Sequence, residues 1–246
     1  MSTVGTWAWG QQTGGRLRRR DEVGQLVRAA RARITLALAR RTTDLGHVRL
    51  KDAPPDSAFA REALEAAREV SSEMLLNHCL RTWLWADAVA QIDRIRHDPE
   101  LLYVACVLHD LALTPAYWLR TDACFGVEGA RAAHGRATAS GYPHADALAN
   151  AICLHLNVVV PVSLGAEAHL LHAGAAMDVI GARAGQVPAP VRAEVLRRHP
   201  RDGFVNQMLA LGVQQRASRP RSRIALLQRI GFADLMRAGE RRFAAH

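Results

Sequence analysis

Lysine is nearly missing from this chain: of 32 basic residues, only Lys51 is not an arginine. Alanine is abundant at the same time, so the preference reads as a compositional bias and carries no function by itself. Cysteine is scarce and scattered. Cys79, Cys106, Cys124 and Cys153 have no C-x-x-C spacing, which excludes a zinc ribbon, a thioredoxin-type motif and a disulfide scaffold. Apolar runs are broken by His, Asp or Gly well short of the roughly 20 residues that cross a bilayer. The uncharged, Trp-bearing start lacks the pattern of a signal peptide, so a soluble cytoplasmic protein with reduced thiols is expected. Extended alternation of Val, Ile and Thr is also nearly absent, which removes a large sheet from consideration.

What is present is 49% apolar residues in 246, enough for one sizeable core. The formal charge of +9 is unevenly placed: residues 1–50 carry +7, residues 191–246 carry +8, and the middle, 51–190, carries −6. The excess is therefore terminal, and the acidic middle is where chemistry that needs a cation is to be sought. The run Arg18-Arg19-Arg20 and the stretch 219–223 are cationic enough to attract nucleic acid. With 5% aromatics and none interleaved with those arginines, base stacking has no platform, and a solvated helix face is the preferred reading.

Periodicity near 3.6 dominates. An amphipathic helix is expected from Asp21 to about Arg41, with Val23, Leu26, Val27, Ala30, Ile34 and Leu38 on one side. Pro54, Pro55 and Asp56 break the chain and cap a helix from Phe59 to about Val70. Ser71 or Ser72 caps the next, to about Arg96, and Asp98-Pro99 starts another to about Leu113. Residues 114–124 read as a loop and a candidate lid. Further helices are expected at about 126–139, 144–156, 164–183, 189–198, 202–215 and 221–237. The fold class is all-α, a single globular helical bundle of eight to ten helices. Its division is a basic N-terminal segment (1–50), a helical core (51–190) and basic C-terminal helices packed on it (191–246).

The informative residues are His78, the adjacent pair His109-Asp110, and Asp178, each in the apolar part of a predicted helix. A carboxylate among apolar neighbours is costly to bury unless its charge is compensated. A divalent metal supplies that compensation, and imidazole with carboxylate suits zinc, iron or manganese. His109 and Asp110 lie about 100° apart around a helix and can lean toward one ion beside its end. The remaining ligands must come from other helices, as in metal sites inside bundles. Gly174, Ala175 and Ala176, just before Asp178, permit close helix approach. A single helical His is more often a satisfied core or surface residue than a ligand. The pair within an apolar helix is harder to dismiss.

The order of a His, a later His-Asp doublet and a final Asp resembles the HD-domain metal-dependent hydrolases. Five blocks carry the likeness: Asn77-His78-Cys79-Leu80-Arg81, Leu108-His109-Asp110-Leu111, Phe125-Gly126-Val127-Glu128-Gly129-Ala130, Ala151-Ile152-Cys153-Leu154-His155 and Gly174 to Gly181. Together they look like the cyanamide-hydratase-like branch, over about residues 70–185. Two departures fall around the substrate: Gly126 stands where the branch has Glu, and Leu156-Asn157 follow His155 where a hydroxyl residue is usual.

The resemblance implies an HD-domain bundle with one divalent metal, zinc before iron or manganese, held by His78, His109, Asp110 and Asp178. Asp110, His155, Glu128 and Arg81 are the candidate catalytic residues. His155, Glu128 and also His134 are placed to pass protons or orient the leaving group, and Arg81 either clamps an anionic substrate or pairs with a carboxylate. The expected activity is water addition to a small nitrile-type compound such as cyanamide. The alternatives are a phosphohydrolase of nucleotides or phosphate esters, for which Arg81, Arg120, Arg131 and Arg136 supply cations, and a two-iron oxygenase using His134 and His155 as extra ligands. Cys79 and Cys106 sit beside the ligands but lack thiolate-site spacing and read as small buried residues. Trp83, Trp85, Tyr117 and Trp118 line either the pocket or the core. The expected partner is a small-molecule substrate, with no membrane, nucleic acid disfavoured without being excluded, and a homo-oligomer compatible with the sequence.

Overall fold

A computed structural model describes residues 2–39, 47–118 and 122–244. Twelve α-helices and no strand occur among them: α1 (Trp7–Thr13), α2 (Arg19–Ala39), α3 (Ala58–Val70), α4 (Glu73–Asp93), α5 (Pro99–Leu108), α6 (Phe125–Ala139), α7 (Ala145–Leu154), α8 (Ala166–Ile180), α9 (Ala189–Arg198), α10 (Phe204–Ser218), α11 (Arg223–Arg229) and α12 (Phe232–Ala244). The expected all-α class is present, with more helices than the eight to ten anticipated.

The starts of the central helices follow their caps. Ser57, not Asp56, caps α3 by accepting from Ala60 N, and Ser72 caps α4 by accepting from Leu75 N. Asp98 accepts from the backbone of Glu100 and Leu101 with Pro99 in the first turn of α5. Three differences from the sequence reading have local causes. Helix α1 was not foreseen; it is held by a Thr6 cap and ends at Gly14, whose φ of 59° is left-handed. The single helix expected over 221–237 is two, parted at Gly231, which adopts φ 86°. Helix α5 stops at Leu108, five residues early, because Asp110 (φ −109°, ψ 13°) leaves helical geometry before the 3₁₀ turn Leu111–Leu113.

The core is built on the pair α4 and α8. Gly174 lets them touch: a Cβ there would lie 2.4 Å from Thr82 O and 2.9 Å from Ala86 N, both backbone atoms of α4. Helix α5, apolar around its whole circumference, is buried beside them. One apolar cluster runs from Trp7 of α1 to Phe243 of α12, so both terminal segments share the core with the middle of the chain. Arg40 and Arg41 lie outside the described residues, as do the side chains of Ile34 and Leu38.

Candidate metal centre

His78 projects from the second turn of α4, and His109-Asp110 from the break after α5. The ligand atoms of these three buried residues lie within 4.8 Å of one another. Each ring is oriented from behind. His78 Nδ1 donates to Asp178 Oδ2 at 2.7 Å, which turns Nε2 toward Asp110 Oδ2, 3.4 Å away. His109 Nδ1 donates to Cys106 O at 2.8 Å, which leaves Nε2 facing Asp110 Oδ2 at 3.2 Å. His155, at the end of α7, donates from Nδ1 to Ile152 O at 2.6 Å, and its Nε2 stands 3.6 Å from Asp110 Oδ1. Its carbonyl is held in turn by His172 Nδ1 at 3.0 Å.

This arrangement leaves polar atoms unsatisfied. His109 Nε2 and Asp110 Oδ1 are buried without a hydrogen-bond partner, which is costly unless something else engages them. Two imidazole nitrogens and a carboxylate converging on one point, each supported by an outer partner, fit a divalent ion. The electrostatics agree. Burial opposes charge on His109, but the adjacent Asp110 carboxylate overrides it and holds the pKa up at about 10. Burial likewise opposes ionisation of Asp110, yet His109 and His78 keep its carboxyl well below the usual range. His155 is the contrast: burial, aided by charge on His109, pushes it down to about 3, so it stays neutral.

Asp178 departs from the direct ligation expected of it. Its Oδ1 accepts from Arg81 Nε (2.8 Å), Trp85 Nε1 (2.9 Å) and Arg201 Nη1 (3.0 Å), and its Oδ2 accepts from Arg81 Nη2 (2.9 Å) and His78. Both oxygens are occupied, and the carboxylate acts on the centre through His78. Arg81, fully buried, pairs with that carboxylate and with the carbonyls of His199 and Pro200, so it is not presented to a substrate. Glu128 is buried but accepts from Arg131 on its own helix at 2.8 Å and does not line the site. His134 meets Asp146 at 3.0 Å and Trp7, so it joins no second metal position. Cys79 Sγ lies 3.8 Å from the rear nitrogen of His109, the wrong side for ligation.

Above the centre is a cavity of about 270 Å³. His78, His109, Asp110 and His155 form its floor, and the walls are apolar, with Phe125, Leu156, Val179, Ile224, Leu227 and Phe232 prominent. The two sequence departures meet here. A Cβ at Gly126 would lie 2.8 Å from Leu156 Cδ1, so the glycine opens the space that Leu156 fills. The loop expected as a lid contributes no described residue to the lining, and its residues 119–121, Arg120 included, lie outside those described; α11 and α12 supply that wall instead. Trp83, Trp85 and Tyr117 are core residues. Arg201 and His172 were not foreseen as parts of the site, and Trp85, expected in the pocket or the core, is a core residue that reaches it through Asp178. Arg201 comes from a loop 23 residues past Asp178, and a lone helical His such as His172 gives no signal above background.

Residues 75–177 match the family model described as HD domain. Two curated proteins of Saccharomyces cerevisiae (strain ATCC 204508 / S288c), cyanamide hydratase DDI2 and cyanamide hydratase DDI3, are each 28% identical to this chain over 153 residues, covering 60% of it and 68% of the relative.

Proposed function

We propose that this chain, an HD-superfamily protein near the cyanamide hydratase branch, is a metal-dependent hydratase that adds water to a small neutral nitrile-type compound. The observation that carries the reading is the convergence of His78, His109 and Asp110 at the cavity floor, with His109 Nε2 and Asp110 Oδ1 buried and unpartnered. These three residues would hold one divalent ion, zinc by preference. A bound divalent ion makes water nucleophilic near neutral pH and polarises an electrophile.

The chain's own groups do the rest. Asp178, fixed by Arg81, Arg201 and Trp85, keeps His78 in the tautomer that turns Nε2 to the floor. His155, neutral and held by His172 and Ile152, offers Nε2 as an acceptor that orients the attacking water. The apolar walls offer few polar groups to compete with those at the floor. Hydrolysis of a phosphate ester finds less support, because anions want several cations at hand. Arg81 and Arg131 are engaged by Asp178 and Glu128, Arg136 meets Tyr117 and Glu62, and no arginine is among the described lining residues.

The test is metal content by plasma mass spectrometry together with product assays. The wild-type chain is expected to hold one divalent ion and to make urea from cyanamide, or a carboxamide from a nitrile. His109→Ala and Asp110→Ala are expected to keep the helical signal and lose the metal. Unchanged metal stoichiometry in a folded variant sinks the site. Phosphate release from nucleotides without hydration of any nitrile sinks the reaction.

A further inference from the structure

We infer that the substrate accepted here is a neutral nitrile with an apolar body, an alkyl or aryl group of several carbons, seated in the cavity with its polar end at the His78–His109–Asp110 floor. This rests on the hydration reading above and adds the substrate class to it. Cyanamide has three heavy atoms. A cavity of about 270 Å³ is many times the roughly 10–15 Å³ that admits one water. A molecule as small as cyanamide would leave most of that volume as water against hydrocarbon walls.

The chemistry of the wall is the second argument. Leu156, Val179, Ile224, Leu227 and Phe232 face the space from the end of α7, α8, α11 and α12, and no Lys or Arg is among the described lining residues. Arg81 and Arg201 hold Asp178, and Arg223 donates from Nη1 to Cys153 O and Asn157 Oδ1, while its Nε is buried without a hydrogen-bond partner. Of the two polar side chains that line the cavity besides the floor, Asn157 is committed, since its Oδ1 takes Arg223 and its Nδ2 donates to Val4 O, and His172 spends Nδ1 on His155 O. Among the described lining residues a charged tail therefore meets no opposite charge, and a hydrogen-bonding tail meets only His172 beyond the floor, so burying either is costly. A hydrocarbon tail has contacts throughout. Gly126 supplies an independent observation: without a side chain it cedes its space to Leu156, which extends the apolar surface up to the floor.

The reaction balances without any redox partner. The oxygen of water bonds to the nitrile carbon, the triple bond to nitrogen is opened, and both protons of water end on nitrogen, giving the carboxamide R–CO–NH₂.

The experiment uses the full metal-loaded chain with cyanamide and the straight-chain nitriles from acetonitrile to octanenitrile. Calorimetry with the corresponding carboxamides reads binding apart from turnover. Affinity and kcat/KM are expected to rise about fourfold per methylene until the cavity is full. Leu227→Trp is expected to move the optimum to shorter chains and Phe232→Ala to longer ones, each checked for folding by its melting curve. A flat or falling chain-length series in a protein that does turn over cyanamide overturns this inference and leaves the hydratase reading in place. Carboxamide binding that rises with chain length, without hydration of cyanamide or any nitrile, overturns the reading and keeps the ligand class. If binding does not depend on chain length in either wild type or a folded variant, the inference is wrong.

Discussion

Asp178 is the residue whose role changed most between sequence and structure. The sequence shows a carboxylate in apolar company and says that its charge must be compensated; it cannot say by what. Two arginines and an indole perform that task, and the carboxylate then fixes His78. Arg81→Ala is expected to lower stability by about 3 kcal/mol, because it strips the main partner from a buried charge. The loss is readable in a urea titration, and metal affinity should fall with it as His78 loses its fixed orientation. A second expectation concerns protons. With His109 held up at about 10 in the metal-free protein, it is charged at neutral pH, and a metal must displace its proton. His155, near 3, is already neutral at that pH and adds none. Metal uptake at pH 7 should therefore release at least one proton, and affinity should weaken as pH falls. Calorimetry in buffers of different ionisation enthalpy measures this; an uptake independent of buffer would show that His109 is not displaced.

At the scale of elements, the centre depends on where helices end and how closely they cross. The early stop of α5 places Asp110 outside helical backbone and beside the imidazoles of His78 and His109. That stop was not legible, because nothing in Leu108-His109-Asp110-Leu111 is a helix breaker. The close crossing of α4 and α8 was legible in Gly174-Ala175-Ala176. Gly174→Ala should cost at least about 2 kcal/mol, since the methyl meets backbone that cannot rotate away. Gly135→Ala, exposed on α6 with nothing within 4 Å of the added atom, should instead gain up to about 1 kcal/mol from helix propensity. Thermal melts of the two variants separate the contact from the propensity, and equal effects would refute the packing argument.

For the whole molecule, the terminal basic charge is of two kinds. Arg18, Arg19 and Arg20 are exposed, as the sequence suggested for all of it. Arg201 and Arg223 are instead interior residues, the former stacked 4.5 Å from the rings of Phe204 and Phe243 and paired with Asp178 and Glu240. Charge reversal at Arg18 and Arg19 should change stability by no more than about 0.5 kcal/mol. Arg201→Ala should cost about 3 kcal/mol and weaken metal binding, because it too leaves Asp178 short of a partner. Equal responses in denaturant titrations would mean that the two groups of arginine do not differ in this way.

The helical period, the caps at Ser72 and Asp98, and the spacing of His78, His109-Asp110 and Asp178 are local properties, so the sequence alone determined an all-α chain with a candidate metal centre in its acidic middle. Which atoms face one another is not local. Only the tertiary structure decided that Asp178 spends its oxygens on Arg81, Trp85 and Arg201, that His134 and Glu128 turn elsewhere, and that α11 and α12 wall the cavity. Those outcomes depend on residues brought together from far apart in the chain, 97 positions for Arg81 and Asp178, where helix packing and the need to satisfy every buried charge set the partners, and neither leaves a period or a motif to read.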